Sequence, residues 1–306
     1  MEVGTNTSIN FILVHIGEHF IEHINDCIEQ IKLFNNSKIF VITNESHRNK
    51  INFDDVTIFS IDDIVKTNNH NYFIQNNTNN KIYRKGLVSH SVERFFYIED
   101  LMVSNNLTNV FHLENDNLLY VDVSELLPTL EKYYDLATTF DNDSRSIPSF
   151  VYIKNTDTIS NLNNFINNNI GVSDMSLLSM YNLINDYKFN LPVIPNNYNH
   201  KLISLSGHQT INPEQYYNNF TQFKSIFDAA AIGQYIGGVD PENIVGNTVG
   251  FINESSLYNP SKFQIEFITD ELNRKIPYIK TENELIKINN LHIHCKNLNK
   301  YKSYGV

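Results

Sequence analysis

The sequence predicts a single large α/β domain in which helices cover both faces of a mostly parallel β-sheet. The 306 residues fit one large domain or two small ones, and a hydrophobic content of 41% is enough for a core. Segments with strand character and segments with helical periodicity alternate along the chain. The strand-like segments are continuous apolar runs, which are typical of parallel strands buried on both faces.

The first elements follow a strand, helix, strand order. Residues 11–15, FILVH, form a short apolar run, and a helical pattern follows over about residues 20–33. Further strand-like runs occupy residues 38–43, KIFVIT, and residues 56–59, VTIF. This order places consecutive strands in parallel, joined by helices that cross the sheet. Residues 67–86 show no periodicity, and we predict a mobile loop there.

A second helix leads the chain to another buried strand. The helix is predicted over residues 91–103, because Phe95, Ile98 and Met102 recur on one of its faces. The strand follows over residues 109–113 as another apolar run. Both belong to the same α/β pattern.

A polar turn of Glu114, Asn115 and Asp116 directly follows this strand and precedes another apolar run. The carboxyl ends of strands in open α/β sheets are where ligands bind. Two carboxylates there, in an acidic chain that lacks basic clusters, favour Mg²⁺ or Mn²⁺ bridging the protein to a diphosphate. The alternative is a solvated surface turn.

Charge and cysteine content exclude several classes of protein. The formal net charge of −11 and the pI near 5.4 argue against nucleic acid or an anionic membrane as the main partner. Two cysteines, Cys27 and Cys295, cannot form a disulfide framework, so we expect a reducing compartment. We predict neither a signal peptide nor a transmembrane segment, because the apolar runs are too short.

Several segments together resemble one family over most of the chain. FHLENDNLLY at residues 111–120 resembles the DXD-type metal motif of GT-A-fold glycosyltransferases, in an E-x-D form. Further segments resemble a group within that fold found in bacteria and large DNA viruses: VHIGEH (14–19), SVERFFYIEDLM (91–102), IFDAAAIGQYIGGVDPEN (226–243) and NLHIHCKNL (290–298).

The resemblance implies a single GT-A domain over residues 1–306, with a nucleotide-binding half at 1–120 and an acceptor and catalytic half at 121–306. It implies a divalent-metal-dependent enzyme that moves a sugar from a nucleotide-diphosphate donor, UDP-linked in our reading, to a glycan or other hydroxyl acceptor. We expect a cytoplasmic location from the cysteine content, which for a viral chain means the host cytoplasm or the virion. Donor sugar, linkage, stereochemistry and oligomeric state stay open.

The resemblance also assigns roles in the nucleotide-binding half. Asp116 is expected to contact the metal directly, whereas Glu114 acts on the metal through water or contacts the donor's ribose. Asn115 shares this cofactor-binding turn. His15 lies in the segment that cups the base, with a histidine at the edge of the core as the alternative. Arg94 is a candidate by position: it lies one turn into the helix that leads to the acidic strand and is expected to reach the nucleotide or its phosphates, with a surface ion pair with Glu93 or near Glu99 as the alternative.

The C-terminal segment Asn290 to Lys296 is predicted to be a strand. A period of two places His292, His294 and Lys296 on a polar face and Leu291, Ile293 and Cys295 on an apolar face. The resemblance implies that His294 completes the metal shell and that Lys296 contacts the diphosphate, with His292 as a lesser candidate. The alternative is an exposed strand edge.

Two aspartates are candidates for the general base of an inverting reaction. Asp228 opens a predicted helix over residues 228–236, which ends at two glycines, and helix capping is its alternative role. Asp174 starts another predicted helix and is the second candidate, with capping as the favoured role.

Two other classes of protein stay open. A catalytically inactive sugar-nucleotide-binding module would keep the pocket without turnover. A nucleotidyltransferase is the other, although FILVHIGEHF lacks the basic, glycine-rich loop expected there.

Overall fold

A six-stranded mixed sheet forms the centre of the protein. The computed structural model describes residues 8–77, 86–186, 188–240, 242 and 248–304. In sheet order the strands are β3 (Val56–Ser60), β2 (Lys38–Thr43), β1 (Asn10–His15), β4 (Val110–Leu113), β7 (Arg145–Ile153) and β6 (Leu136–Asn142). The first four strands are parallel, whereas β7 runs antiparallel to both β4 and β6. The predicted α/β fold class is confirmed, whereas the GT-A fold stays a prediction.

The core lies on both faces of this sheet, as the continuous apolar strands predict. Phe11 and Leu13 of β1 belong to one cluster of buried residues, and Ile12 and Val14 belong to the other. Successive side chains of a strand point to opposite faces. Each face therefore needs its own covering layer.

Helices supply these layers within one α/β domain. They are α1 (His23–Phe34), α2 (Asn68–Asn76), α3 (Leu87–Asn105), α4 (Leu127–Tyr133), α5 (Thr156–Asn167), α6 (Asp174–Ile184), α7 (Phe220–Phe223) and α8 (Ala231–Gly237). The predicted apolar face of α3 is confirmed, because Phe95, Ile98 and Met102 are all fully buried in one cluster. None of the helices in the described part of the chain is both long and apolar enough to cross a membrane.

The loop predicted over residues 67–86 is wrong for its first half, which forms α2. Thr67 caps this helix by accepting a hydrogen bond from the backbone N–H of His70. The buried side chains of His70 and Phe73 then fix the helix against the domain. These tertiary contacts hold an asparagine-rich segment whose local pattern does not indicate a helix. Residues 78–85 lie outside the described residues.

Two smaller sheets bring the C-terminal part of the chain to the main sheet. One contains β8 (Ser225–Ile226), β11 (Leu285–Ile288), β10 (Lys275–Lys280) and β9 (Gln264–Thr269), in that order. The other pairs β5 (Asn117–Leu119) antiparallel with β12 (Asn290–His292). The register places Asn117 opposite His292, so the C-terminal segment lies beside the acidic turn.

The strand predicted over residues 290–296 is wrong beyond its first half. β12 ends at His292, and the backbone N–H of Lys296 donates to the carbonyl of Ile293 at 2.9 Å, which closes a turn. Lys296 has a positive φ of 63°, outside the extended region. The alternation of polar and apolar faces therefore does not continue to Cys295 and Lys296.

Candidate metal centre

The acidic turn is anchored to three strands. Glu114 donates its backbone N–H to Ser149 of β7 at 3.2 Å, and its carbonyl accepts from Asn117 at 3.0 Å, which closes the turn before β5. Asn115 donates its side-chain amide to the carbonyl of Val14, at the end of β1, at 3.0 Å. Asn115, predicted to bind the cofactor, thus has an anchoring contact. The turn lies at the carboxyl end of the parallel strands.

Glu114, Asp116 and His292 bring three possible metal ligands together. One ligand atom from each lies within 4.8 Å of the other two, and this is the single such group among the described residues. His292 Nε2 lies 3.0 Å from Asp116 Oδ2 and 3.7 Å from Glu114 Oε2. This group could hold a metal ion.

Lys296 places a positive charge against the same group. Its ammonium pairs with Asp116 Oδ2, the oxygen that His292 also contacts, and its side chain is 35% exposed. Burial opposes ionisation of Asp116, but His292 and Lys296 outweigh it and hold its pKa well below the usual value. Burial likewise opposes the charge of His292, but Asp116 raises its pKa to about 9. The site therefore stabilises the charged forms of Asp116 and His292.

Arg94 connects the metal centre to α6. Its guanidinium contacts Glu114 Oε1 at 2.8 Å and Asp174 Oδ2 at 2.5 Å. Burial disfavours its charge, but the two carboxylates outweigh burial and raise the pKa of Arg94. The alternative of a surface ion pair with Glu93 or near Glu99 is wrong, since Arg94 is buried and paired elsewhere.

His292, rather than His294, belongs to the ligand group, which corrects the sequence-based choice. His294 Nδ1 accepts a hydrogen bond from the backbone N–H of Asp240 at 3.3 Å. Burial and the neighbouring His292 and Lys296 lower the pKa of His294 to about 4. The two rings stay close, with centroids 5.6 Å apart, but the turn after β12 leaves His294 outside the ligand group and directs its Nδ1 to the backbone N–H of Asp240.

Neither predicted general base is a free carboxylate. Asp228 is 0% exposed, and its oxygens accept backbone N–H groups from Ile232, Gly233 and His292. Burial raises its pKa to about 6 despite these contacts. The helix predicted to open at Asp228 begins at Ala231 instead. Asp228 therefore serves as a buried acceptor for backbone groups.

Asp174 begins α6 as predicted, but it does not cap that helix. Ser173 is the N-cap, and its side chain accepts from the backbone N–H of Ser176. The carboxylate of Asp174 is instead paired with Arg94. Its contact therefore orients the guanidinium that also holds Glu114.

His15 lies at the carboxyl end of β1 in an aromatic group that sequence reasoning missed. Its ring stacks on His47 with centroids 5.3 Å apart, and Phe20 approaches it edge-on at 5.7 Å. Burial and the nearby His47 lower the pKa of His15 to about 4. His47 and Phe20 carry no motif, so only the fold reveals them.

A scan of the chain against protein-family models found no match, and a search of curated proteins found no relative. The resemblance of the segments to GT-A glycosyltransferases therefore stays a prediction from sequence. What the structure adds is the contact between the acidic turn and the C-terminal segment, which lie 176 positions apart at Asp116 and His292.

Proposed function

We propose that the protein is a divalent-metal-dependent glycosyltransferase of the GT-A type. It would move a sugar from a nucleotide-diphosphate donor, UDP-linked in our assignment, to a hydroxyl group of a glycan acceptor. The observation that carries the proposal is the group of Glu114, Asp116 and His292 at the carboxyl end of β4, with Lys296 beside it. Open α/β sheets bind their ligands at this edge.

The ligand chemistry fits a divalent cation. Carboxylate oxygens suit Mg²⁺ and Mn²⁺, whereas an imidazole nitrogen suits first-row transition metals better than Mg²⁺. The mixed set of Glu114, Asp116 and His292 therefore favours Mn²⁺ over Mg²⁺. When bound, the ion would supply positive charge to the diphosphate that leaves during transfer.

Two cations of the chain support the same chemistry. Lys296 is partly exposed, and its ammonium can turn from Asp116 to a diphosphate, where it would stabilise the charge of the leaving group. Arg94 is buried and holds Glu114 in place. We therefore assign diphosphate binding to Lys296 and orientation of Glu114 to Arg94. This division revises the expectation that Arg94 reaches the phosphates.

A sugar-nucleotide-binding module without turnover is the second candidate. One observation favours it: neither Asp228 nor Asp174 is free to accept a proton from an acceptor hydroxyl. An inverting transfer needs such a base. The two candidates share the metal centre and differ only in chemistry, so a turnover assay separates them.

The test is incubation with UDP-, GDP- and TDP-sugars and Mn²⁺, with detection of slow donor hydrolysis. The enzyme proposal predicts release of the nucleoside diphosphate from one donor, lost on adding EDTA and lost in Asp116→Asn. Asp63→Asn, a change at an exposed turn residue, is the matched control and should keep activity. Metal-dependent binding without hydrolysis in any donor would support the binding module. Release of pyrophosphate from a nucleoside triphosphate would support a nucleotidyltransferase.

A further inference from the structure

The segment from Asp228 to Gly233 contacts His292 at three separate points. Asp228 Oδ2 accepts the backbone N–H of His292 at 3.1 Å. The carbonyl of Ala229 lies 2.9 Å from the ring nitrogen Nδ1 of His292. Gly233 packs so closely that an added Cβ would lie 1.9 Å from the carbonyl oxygen of His292. Both backbone groups and the ring of His292 are therefore fixed by one segment.

The contact with Ala229 determines which ring nitrogen of His292 faces the acidic turn. A carbonyl oxygen only accepts hydrogen bonds, so Nδ1 carries a hydrogen; the carboxylate of Asp116 also only accepts, so a metal ion at Nε2 would replace a second hydrogen there. The other nitrogen, Nε2, then faces Asp116 at 3.0 Å. Metal-binding histidines commonly donate one ring N–H to a carbonyl and bind the metal through the other nitrogen.

Asp228 is itself held firmly. Its carboxylate accepts the backbone N–H of Ile232 at 3.0 Å and of Gly233 at 2.8 Å, at the start of α8. Its carbonyl accepts from Ser149 at 2.8 Å and from the side chain of Asn290 at 2.9 Å. These contacts join α8, β7 and β12, so a shift of Asp228 would be transmitted to His292.

We propose that Asp228 and Gly233 are positioning residues that hold His292 in the orientation needed to bind a metal through Nε2. Asp228 acts through the backbone of His292 and does not contact substrate. The glycine is required because any side chain at position 233 would displace the carbonyl of His292. This inference rests on the metal centre of the proposed function, but not on sugar transfer.

The test compares Asp228→Asn and Gly233→Ala with Gly237→Ala. Gly237 lies in the same helix, and the atoms nearest to an added Cβ there belong to side chains, at 3.2 Å for Cys295 Sγ and 3.6 Å for the ring of Tyr301. We expect Asp228→Asn to lower Mn²⁺ affinity about 10- to 100-fold, and Gly233→Ala at least as much. Gly237→Ala should leave the affinity unchanged.

A spectroscopic readout separates positioning from general destabilisation. Electron spin echo measurements on saturated samples report nitrogen coupling per bound Mn²⁺. We expect this coupling in the native protein and in Gly237→Ala, and its weakening or loss in Asp228→Asn. A purely structural role would lower the unfolding temperature and leave the coupling per bound ion intact, which would overturn the proposal. Should Gly233→Ala fail to fold, Asp228→Asn still decides the question.

The result of this test can be distinguished from the result of the turnover assay that tests the proposed function. If Mn²⁺ binds with nitrogen coupling that depends on Asp228, but no donor is hydrolysed, the positioning role stands and sugar transfer fails. If Asp228→Asn and the native protein bind Mn²⁺ with equal affinity and equal coupling, the positioning role fails whatever the turnover assay gives.

Discussion

The candidate metal centre and the contact between α2 and α3 both pair a buried histidine with carboxylates. In the second region, His70 is 0% exposed, with Nδ1 2.5 Å from Asp100 Oδ2 and Nε2 3.6 Å from Glu93. In the first, His292 Nε2 lies 3.0 Å from Asp116. The residue types are the same, and the distances are similar.

The two regions differ in what else the carboxylates contact. Asp100 also accepts the backbone N–H of Thr67 at 2.7 Å and is completely buried. At the metal centre, Asp116 is instead paired with Lys296, whose side chain is 35% exposed, so solvent and ligands reach the group. A buried carboxylate therefore indicates a site where one of its partners is a partly exposed cation; where a buried histidine and the backbone hold it, it joins helices.

The largest expected effect is on stability, in the α2 and α3 region. Asp100→Asn leaves His70 without its buried partner, and breaking such a pair costs about 3 to 5 kcal/mol. We expect a loss of this size in the free energy of unfolding, measured by urea denaturation, with unchanged Mn²⁺ affinity. The exposed change Asp63→Asn should shift stability by less than about 0.5 kcal/mol. Weakened Mn²⁺ binding in Asp100→Asn would break the distinction between the two regions.

The next effect is on ligand binding, at the metal centre. Asp116→Asn should lower Mn²⁺ affinity by about 100-fold, or about 2.8 kcal/mol, because it removes a charged ligand. Its stability should fall less than that of Asp100→Asn, since Lys296 can return to water. Calorimetric titration with Mn²⁺ and urea denaturation measure the two quantities. A large loss of stability with unchanged metal affinity would make Asp116 a structural turn residue.

A smaller effect should distinguish Lys296 from the metal ligands. Lys296→Met should weaken UDP binding in the presence of Mn²⁺ about tenfold, or about 1.4 kcal/mol, through loss of a contact to the diphosphate. Mn²⁺ alone should bind at least as tightly as before, because Lys296 no longer competes for Asp116 Oδ2. The exposed Lys300→Met is the control. Equal weakening of Mn²⁺ and UDP binding would contradict this role.

The smallest effect is the pH dependence of stability that His70 contributes in the α2 and α3 region. Burial opposes the charge of His70, but Asp100 and Glu93 outweigh it and raise its pKa. A raised pKa adds stability that is complete below the unfolded-state value of about 6.5 and is lost as pH rises through the folded value. Urea denaturation at increasing pH should show that the native protein and His70→Gln become closer in free energy of unfolding. A constant difference between the two proteins would contradict the ion pair.

Much of the fold could be predicted from the sequence, because apolar runs and helical periodicity are visible within short segments. The apolar runs of β1 and β2 and the apolar face of α3 predict the sheet and one covering layer. The polar turn after β4 predicts the carboxylates. In contrast, α2 depends on the pair between His70 and Asp100, which lie 30 positions apart, and no local pattern contains it.

The errors at the site have one physical origin. The choice of His294 assumed that the strand continues, but a turn with Lys296 at positive φ ends it after His292. The assignment of Asp228 as a base assumed an accessible carboxylate, but backbone groups of α8 and β12 occupy its oxygens. Backbone contacts between distant segments determine where β12 ends and whether the carboxylate of Asp228 is accessible. The residue types in the sequence do not predict such contacts.

The most direct test of the account is whether His292 binds the metal. Nitrogen coupling to bound Mn²⁺ should be measured by electron spin echo methods in the native protein, in His292→Ala and in His294→Ala, each saturated with the ion. The metal centre predicts coupling in the native protein and in His294→Ala, and its loss in His292→Ala. Coupling that persists in His292→Ala, or is lost only in His294→Ala, would contradict the account.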